Sequence, residues 1–308
     1  VTAPSIYDWP AYLVAHGETC AVEGPWQAEV DWTGAPDGSR WFFVTGHGHS
    51  GSSAFTEVLS LHPAVWCGNE DNTPANLLGL FTTKTVISGG SRVLYWQNKQ
   101  WSGRKRPFSS ETRKVTAGYL RALCEVWRAH VAPGKAFVGD KHIQYLLRRD
   151  RFRKVFPGCR FVFCLRHPLD KLSGLLSDEW VGNAAIAQDP KAAFDIVNMA
   201  LRNWQAVCRE PDFLVVKFES FADPEILCGA LATCYQHLGA DPAAGPDPAA
   251  LAPYCYPDPI GRWHKDDRIA RLLDSWQQQA LITKQQREAL VAPPEHYADF
   301  LSAEEWNP

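Results

Sequence analysis

The stretch Trp41-Phe42-Phe43-Val44-Thr45-Gly46-His47-Gly48-His49-Ser50-Gly51-Ser52-Ser53 decides the fold. It opens with a compact apolar run of the kind that forms a strand buried on both faces. A glycine-rich loop breaks that run, and then Ala54, Phe55, Val58, Leu59 and His62 recur at helical spacing. The order is strand, loop, helix. Glycines let successive backbone N–H groups curl towards one anion, and the helix N-terminus adds positive potential. Ser52 and Ser53 can donate to the same oxygens. Against the nucleoside-triphosphate pattern GxxxxGK[ST], Gly46 and Gly51 fit, but Ser52 stands where the lysine belongs. The bland alternative is a tight turn with no ligand.

Outward from this loop the same alternation continues. Val65-Trp66-Cys67, Ala136-Phe137-Val138, Phe161–Leu165 and Phe213-Leu214-Val215-Val216 read as strands. Helical spacing covers 112–131, 143–155, 168–180, 191–209 and 224–238, with two more helical stretches within 266–291. Strands alternating with helices predict an α/β fold, a P-loop-type parallel sheet with helices on both faces. Residues 1–40 read as an irregular lead-in and 41–308 as a single domain. Within it, 84–112 reads as an exposed loop or lid, whose Tyr95, Trp96 and Trp101 with Arg104-Lys105-Arg106 either line an acceptor pocket or form a solvated basic loop. The Pro- and Ala-rich segment 241–265 serves as a linker and a closing loop.

Composition narrows the function. Across 308 residues, 31 basic side chains face 34 acidic ones, a net charge of −3, which argues against a nucleic-acid binder driven by phosphate attraction. No apolar run is long enough to span a bilayer. The 9 cysteines are odd in number and lack CxxC spacing, so neither a disulfide framework nor a zinc ribbon is expected. Without a leader-like start or an Asn-x-Ser/Thr acceptor, a cytoplasmic location is expected, the alternative being a trimmed Golgi-lumenal chain.

His47 and His49 fit a rival chemistry, because a His-x-His after a strand can hold a metal ion in a hydrolase. The further ligands would be His142, His167 and a carboxylate. Arg166 beside His167 is a poor neighbour for a cation, and the strands are too few for an eight-stranded barrel.

The combination resembles the sulfotransferases that use adenosine 3′-phosphate 5′-phosphosulfate (PAPS). Their phosphate loop, roughly GxxRSGTT, is matched by residues 46–53. Their RxPxDxxxS segment is matched by Arg166-His167-Pro168-Leu169-Asp170 after a strand. Leu61-His62-Pro63-Ala64-Val65-Trp66-Cys67-Gly68-Asn69-Glu70 is most similar to the tyrosylprotein sulfotransferase branch. Val216-Lys217-Phe218-Glu219-Ser220-Phe221 with Asp223-Pro224 resembles the VxYEDL…DP strand, and Ile260-Gly261-Arg262-Trp263 the loop that closes over the nucleotide. Three positions depart from the pattern. His49 replaces a permanent cation, Phe218 replaces a tyrosine, and Gly174 stands where the 3′-phosphate serine belongs, leaving Ser173 or Ser177 to substitute.

The resemblance implies transfer of a sulfonate from PAPS to a hydroxyl or amine of a small-molecule or peptide acceptor, with PAP as product and no metal required. It implies Gly48, His49, Ser50, Gly51, Ser52 and Ser53 on the 5′-phosphate. Arg166 and Ser173 would hold the 3′-phosphate, with Phe218, Arg262 and Trp263 around the nucleotide. Glu70 is the implied base, while His49 and Lys141 neutralise the leaving oxygen. Each residue has a plainer reading. Arg166 can pair with Asp170 at the surface, and Asp170 can cap its helix. Lys141 can pair with Asp140, Glu70 can be a solvated loop carboxylate, and Trp263 can pack on the core. A P-loop phosphotransferase and a non-catalytic nucleotide-binding module are the remaining alternatives.

Overall fold

The computed structural model describes residues 38–69, 124–125, 128–143, 145–177, 186 and 189–292. Glu70, the loop at 84–112 and most of the expected helix at 112–131 lie outside the described residues. The chain divides into two compact units. The described part of the first includes Gly38, which donates its N–H to the Pro157 carbonyl at 2.7 Å, and the stacked rings of Phe152 and Phe156.

The second unit holds the sheet. Its strands are β1 (Trp41–Gly46), β2 (Val65–Asn69), β3 (Phe137–Lys141), β4 (Arg160–Leu165) and β5 (Phe213–Lys217). They are parallel throughout, in the order β2-β3-β1-β4-β5. The helices are α1 (Ser52–Leu59), α2 (Tyr145–Val155), α3 (Pro168–Leu176), α4 (Pro190–Val207), α5 (Pro224–Leu238), the four-residue α6 (Pro248–Leu251), α7 (Asp267–Gln278) and α8 (Lys284–Leu290). This is the α/β sheet that the alternation predicts.

Two apolar layers account for the burial. On one face, Phe163 and Leu165 meet Leu169 and Leu172 of α3, Val197, Leu201 and Trp204 of α4, and Leu272 and Trp276 of α7. On the other, Phe42, Val44, Val162 and Cys164 meet Phe55 and Val58 of α1 and Leu227 and Leu231 of α5. A sheet covered on both faces needs strands apolar on both sides, and β1 is buried at every position.

Local signals set the helix starts. Asp189, Asp223 and Asp266 cap α4, α5 and α7 with their carboxylates, and α4 and α5 begin with proline. The Pro- and Ala-rich segment after α5 folds into short helical turns at Pro242–Ala244, Pro248–Leu251 and Ala252–Tyr254, and Leu251 is fully buried.

β1 lies between β3 on one side and β4 on the other, so the crossover out of β1 runs to one side of it and the crossover from β3 into β4 runs to the other. That arrangement opens a crevice at the carboxyl ends of the strands, where open parallel sheets bind ligands. The glycine-rich loop and Arg166 both emerge there.

Candidate functional site

The loop after β1 is shaped by two left-handed residues, His49 at φ 63° and Gly51 at φ 78°. A non-glycine residue there costs roughly 1–2 kcal/mol and is a mark of functional loops. Ser50 N–H closes the turn onto the His47 carbonyl at 3.1 Å. Alternating handedness of this kind makes the concave N–H array that takes anions. Gly51 caps α1 without any side-chain hydrogen bond, and no acidic residue occupies the first turn. The helix N-terminus therefore keeps its donors and its positive potential for a ligand.

Glycine is required at two loop positions. A Cβ on Gly46 would sit 2.7 Å from the Cys164 carbonyl, and one on Gly51 would run into the Phe218 ring. Gly48 faces open space. Ser50 is buried and its Oγ has no partner. Ser52 is buried at the start of α1, while Ser53 is exposed.

Arg166 follows β4 and is 8% exposed. Its Nη1 donates to the His49 carbonyl at 3.0 Å and its Nη2 to the Pro259 carbonyl at 2.8 Å, which leaves a buried Nε without a partner. Its guanidinium lies 4.6 Å from the centre of the Phe218 ring. Burial lowers its pKa, Asp170 raises it and Arg262 lowers it again, so a second guanidinium stands nearby.

That second group comes from the closing loop. A Cβ on Gly174 of α3 would collide with Arg262 Nη2 and lie 3.6 Å from the His49 Cβ. Glycine, where the resemblance implies a serine, thus makes room for the Arg262 guanidinium, whose buried Nε also lacks a partner. Asp170 and Glu219 both act on Arg166, yet neither forms an ion pair with it, and the two guanidiniums together can take an anion.

Asp170 holds this arrangement in place. It is fully buried in the first turn of α3 and accepts the N–H groups of Gly261 at 2.7 Å and Trp263 at 3.2 Å. The loop carrying Arg262 is therefore tied to α3, and the plainer alternative for Arg166, a surface ion pair with Asp170, is not formed. Glu219 accepts the His167 N–H at 2.8 Å and leaves Oε2 buried without a partner; burial pushes its pKa up.

Several expected contacts look different in place. Ser173 Oγ donates to Asp266 Oδ2 at 2.7 Å, and Ser177 Oγ donates to the Ser173 carbonyl and accepts from Arg268. Burial raises the Asp266 pKa, but the hydrogen bonds from Arg268 and Ser173 outweigh it and hold the carboxyl down. Both candidate serines are thus engaged in anchoring the start of α7. Trp263 is 7% exposed, stacked on His167 at 5.4 Å and on His264 at 3.7 Å. It is a packing residue here and not an open stacking surface. Phe218 is 7% exposed, wedged between loop and Arg166.

Lys141 ends β3, 3% exposed, in register with Val44 of β1 and Asn69 of β2. The adjacent Asp140 accepts a short hydrogen bond from Tyr145 Oη. His142 is half-buried, 5.7 Å from the Tyr145 ring. His47 lies against α4. Its Nε2 lies 3.4 Å from Asn203 Nδ2, and a backbone hydrogen bond ties it to Ala200. Burial, helped by Lys171, pushes its pKa down to about 3. Its ring is engaged by Ala200 and Asn203 of α4. Sequence reasoning missed Lys171 and the Gly174–Arg262 fit. The missing serine was the only signal for the latter.

A family model described as "Sulfotransferase family" matches residues 42–240, more than half of the chain. No curated protein matches significantly. Among solved structures, a sulfotransferase from Alicyclobacillus acidocaldarius is 16% identical with a TM-score of 0.43, over 83% of this chain and 100% of that one. The sulfotransferase domain of the Synechococcus PCC 7002 olefin synthase is 15% identical with a TM-score of 0.45, over 77% and 93%. Sulfotransferase STF9 from Mycobacterium avium is 14% identical with a TM-score of 0.42, over 87% and 80%.

Proposed function

Because the chain belongs to the sulfotransferase family, we propose that its donor is PAPS and that the acceptor is a hydroxyl or amine of a small molecule or peptide. The observation that supports this most is the pair of buried arginines, Arg166 and Arg262, each with an unpartnered Nε. A nucleotide with phosphates at both the 3′ and 5′ positions fits the three orphaned donors, Ser50 Oγ, Arg166 Nε and Arg262 Nε. The loop amides of Gly48–Ser53 and the uncapped start of α1 would take its 5′-phosphate. The two guanidiniums would take the 3′-phosphate, with Arg262 joining Arg166 in the place expected for Ser173.

Bound there, PAPS supplies a sulfur electrophile whose bond to the bridging oxygen breaks as the acceptor atom bonds to sulfur. The protein's part is positioning and neutralisation, as in phosphoryl transfer. His49 and Lys141 stabilise charge on the departing oxygen. Glu70 takes the acceptor's proton; it directly follows Asn69, the register partner of Lys141. The similarity of 61–70 to the tyrosylprotein branch supports that assignment.

Calorimetry tests the donor. PAP should bind far better than ADP, with or without Mg²⁺, and Arg166→Ala should lose most of that preference. Equal affinities for PAP and ADP would end the 3′-phosphate assignment. Glu70→Gln should cut turnover on an alcohol acceptor by about 10²–10⁴-fold with PAP affinity unchanged.

A further inference from the structure

Lys171 lies on α3, 6% exposed, one residue beyond Asp170. Its neighbours do nothing to balance its charge. Asp170 is turned to the Gly261 and Trp263 N–H groups. The carboxylate of Asp195 on α4 is bonded to Lys191. The loop residue whose pKa Lys171 lowers is His47, a neutral ring held by Asn203 and Ala200 of α4. No described residue gives the ammonium a hydrogen bond or an ion pair, and burial alone pushes its pKa down to about 8.

A largely buried ammonium with no hydrogen-bond or ion-pair partner is costly, and such groups gather at functional sites. Arg166 differs, since two carbonyls receive its Nη groups. The donor's anions are already matched on the His49 flank, by the loop amides, Arg166 and Arg262. Lys171 has no such assignment, and it stands close enough to the neutral His47 ring of the phosphate loop to lower its pKa.

We propose that Lys171 is an acceptor-binding residue, forming a subsite for an oxyanion carried by the acceptor. The acceptor class is then a molecule with a carboxylate, sulfate or phosphate group in addition to its nucleophilic hydroxyl or amine. This rests on the donor reading above, because that reading assigns the other cations. No bond to Lys171 forms or breaks. Its role is to pair with the acid and hold the acceptor beside the loop.

The test follows the Lys171 amine directly by NMR titration of side-chain-labelled protein. The signal is assigned by its loss in Lys171→Met, and in Lys171→Arg should the first variant not fold. Formate and inorganic sulfate serve as probes, on the free protein and on protein saturated with PAP. In PAP-saturated protein, either probe should raise the titration midpoint by about one pH unit or more, as an opposite charge at contact distance does. A midpoint raised by PAP alone, with no further change on adding probe, would assign the amine to the donor and overturn the proposal. No movement with any anion would overturn it too. Failure of PAP to bind would count against the donor reading instead. The probes on the free protein would then still decide whether Lys171 holds an oxyanion.

Discussion

Replacing Gly174 with alanine should separate stability from nucleotide affinity. In the interior of α3, alanine is favoured over glycine by about 1 kcal/mol, so the variant should fold at least as well as the parent. The added Cβ, however, collides with Arg262 Nη2 and comes within 3.4 Å of its Cζ. The guanidinium must swing away from the His49 side. If Arg262 holds the 3′-phosphate, the loss is one hydrogen bond between charged groups, about 1.5–3 kcal/mol, or roughly 10- to 150-fold in Kd. Calorimetry at fixed ionic strength reads this with PAP, and ADP, lacking that phosphate, should bind unchanged. Arg262→Ala should show a similar loss, and the double variant should be little worse than either, because both remove the same contact. Unchanged PAP affinity in Gly174→Ala, or an equal fall for ADP, would refute the assignment.

Asp170→Asn should destabilise the protein by about 2–4 kcal/mol in denaturant titration, since a buried carboxylate that accepts two backbone N–H groups loses its charge. A change under 0.5 kcal/mol would show that the closing loop is held otherwise. Lys171→Met should stabilise the free protein at pH 7 by about 3 kcal/mol, because the folded-state pKa is lowered from 10.5 to about 8. The unfolded chain binds the extra proton between those values, so the gain should shrink as pH rises from 8 to 10.5 and vanish above. A gain independent of pH would point to packing alone. His47 and His167 are lowered by burial to about 3 and about 4, so their contribution is complete above pH 6.5 and lost as pH falls towards those values. Unfolding free energy should therefore drop between pH 6.5 and 4, and His47→Gln should make that slope shallower; an unchanged slope would return His47 to solvent.

Local patterns were enough for the elements and for their order. The apolar run at 41–44 and the helical recurrence from 54 to 62 place strand, loop and helix within two or three residues of where they form. Arg166 is recognisable as a ligand-side residue because it ends a buried strand, and strand ends in a parallel sheet share one edge. Ser173, Phe218 and Trp263 were harder. Their expected roles came from the resemblance, whereas the partners that engage them, Asp266, Gly51 and His167, belong to other elements.

The sequence by itself determined the backbone frame, because burial of a two-sided sheet and the shape of a glycine-rich turn depend on residues adjacent in the chain. Only the tertiary structure decided which charges remain unmatched. Asp170 is one residue from Lys171 yet accepts from Gly261 and Trp263, 91 and 93 positions away. Gly174 admits a guanidinium from the closing loop, and Lys171 keeps its charge unbalanced beside a histidine of the phosphate loop. Charge pairing is settled by distance and burial in space, and chain spacing carries no record of either.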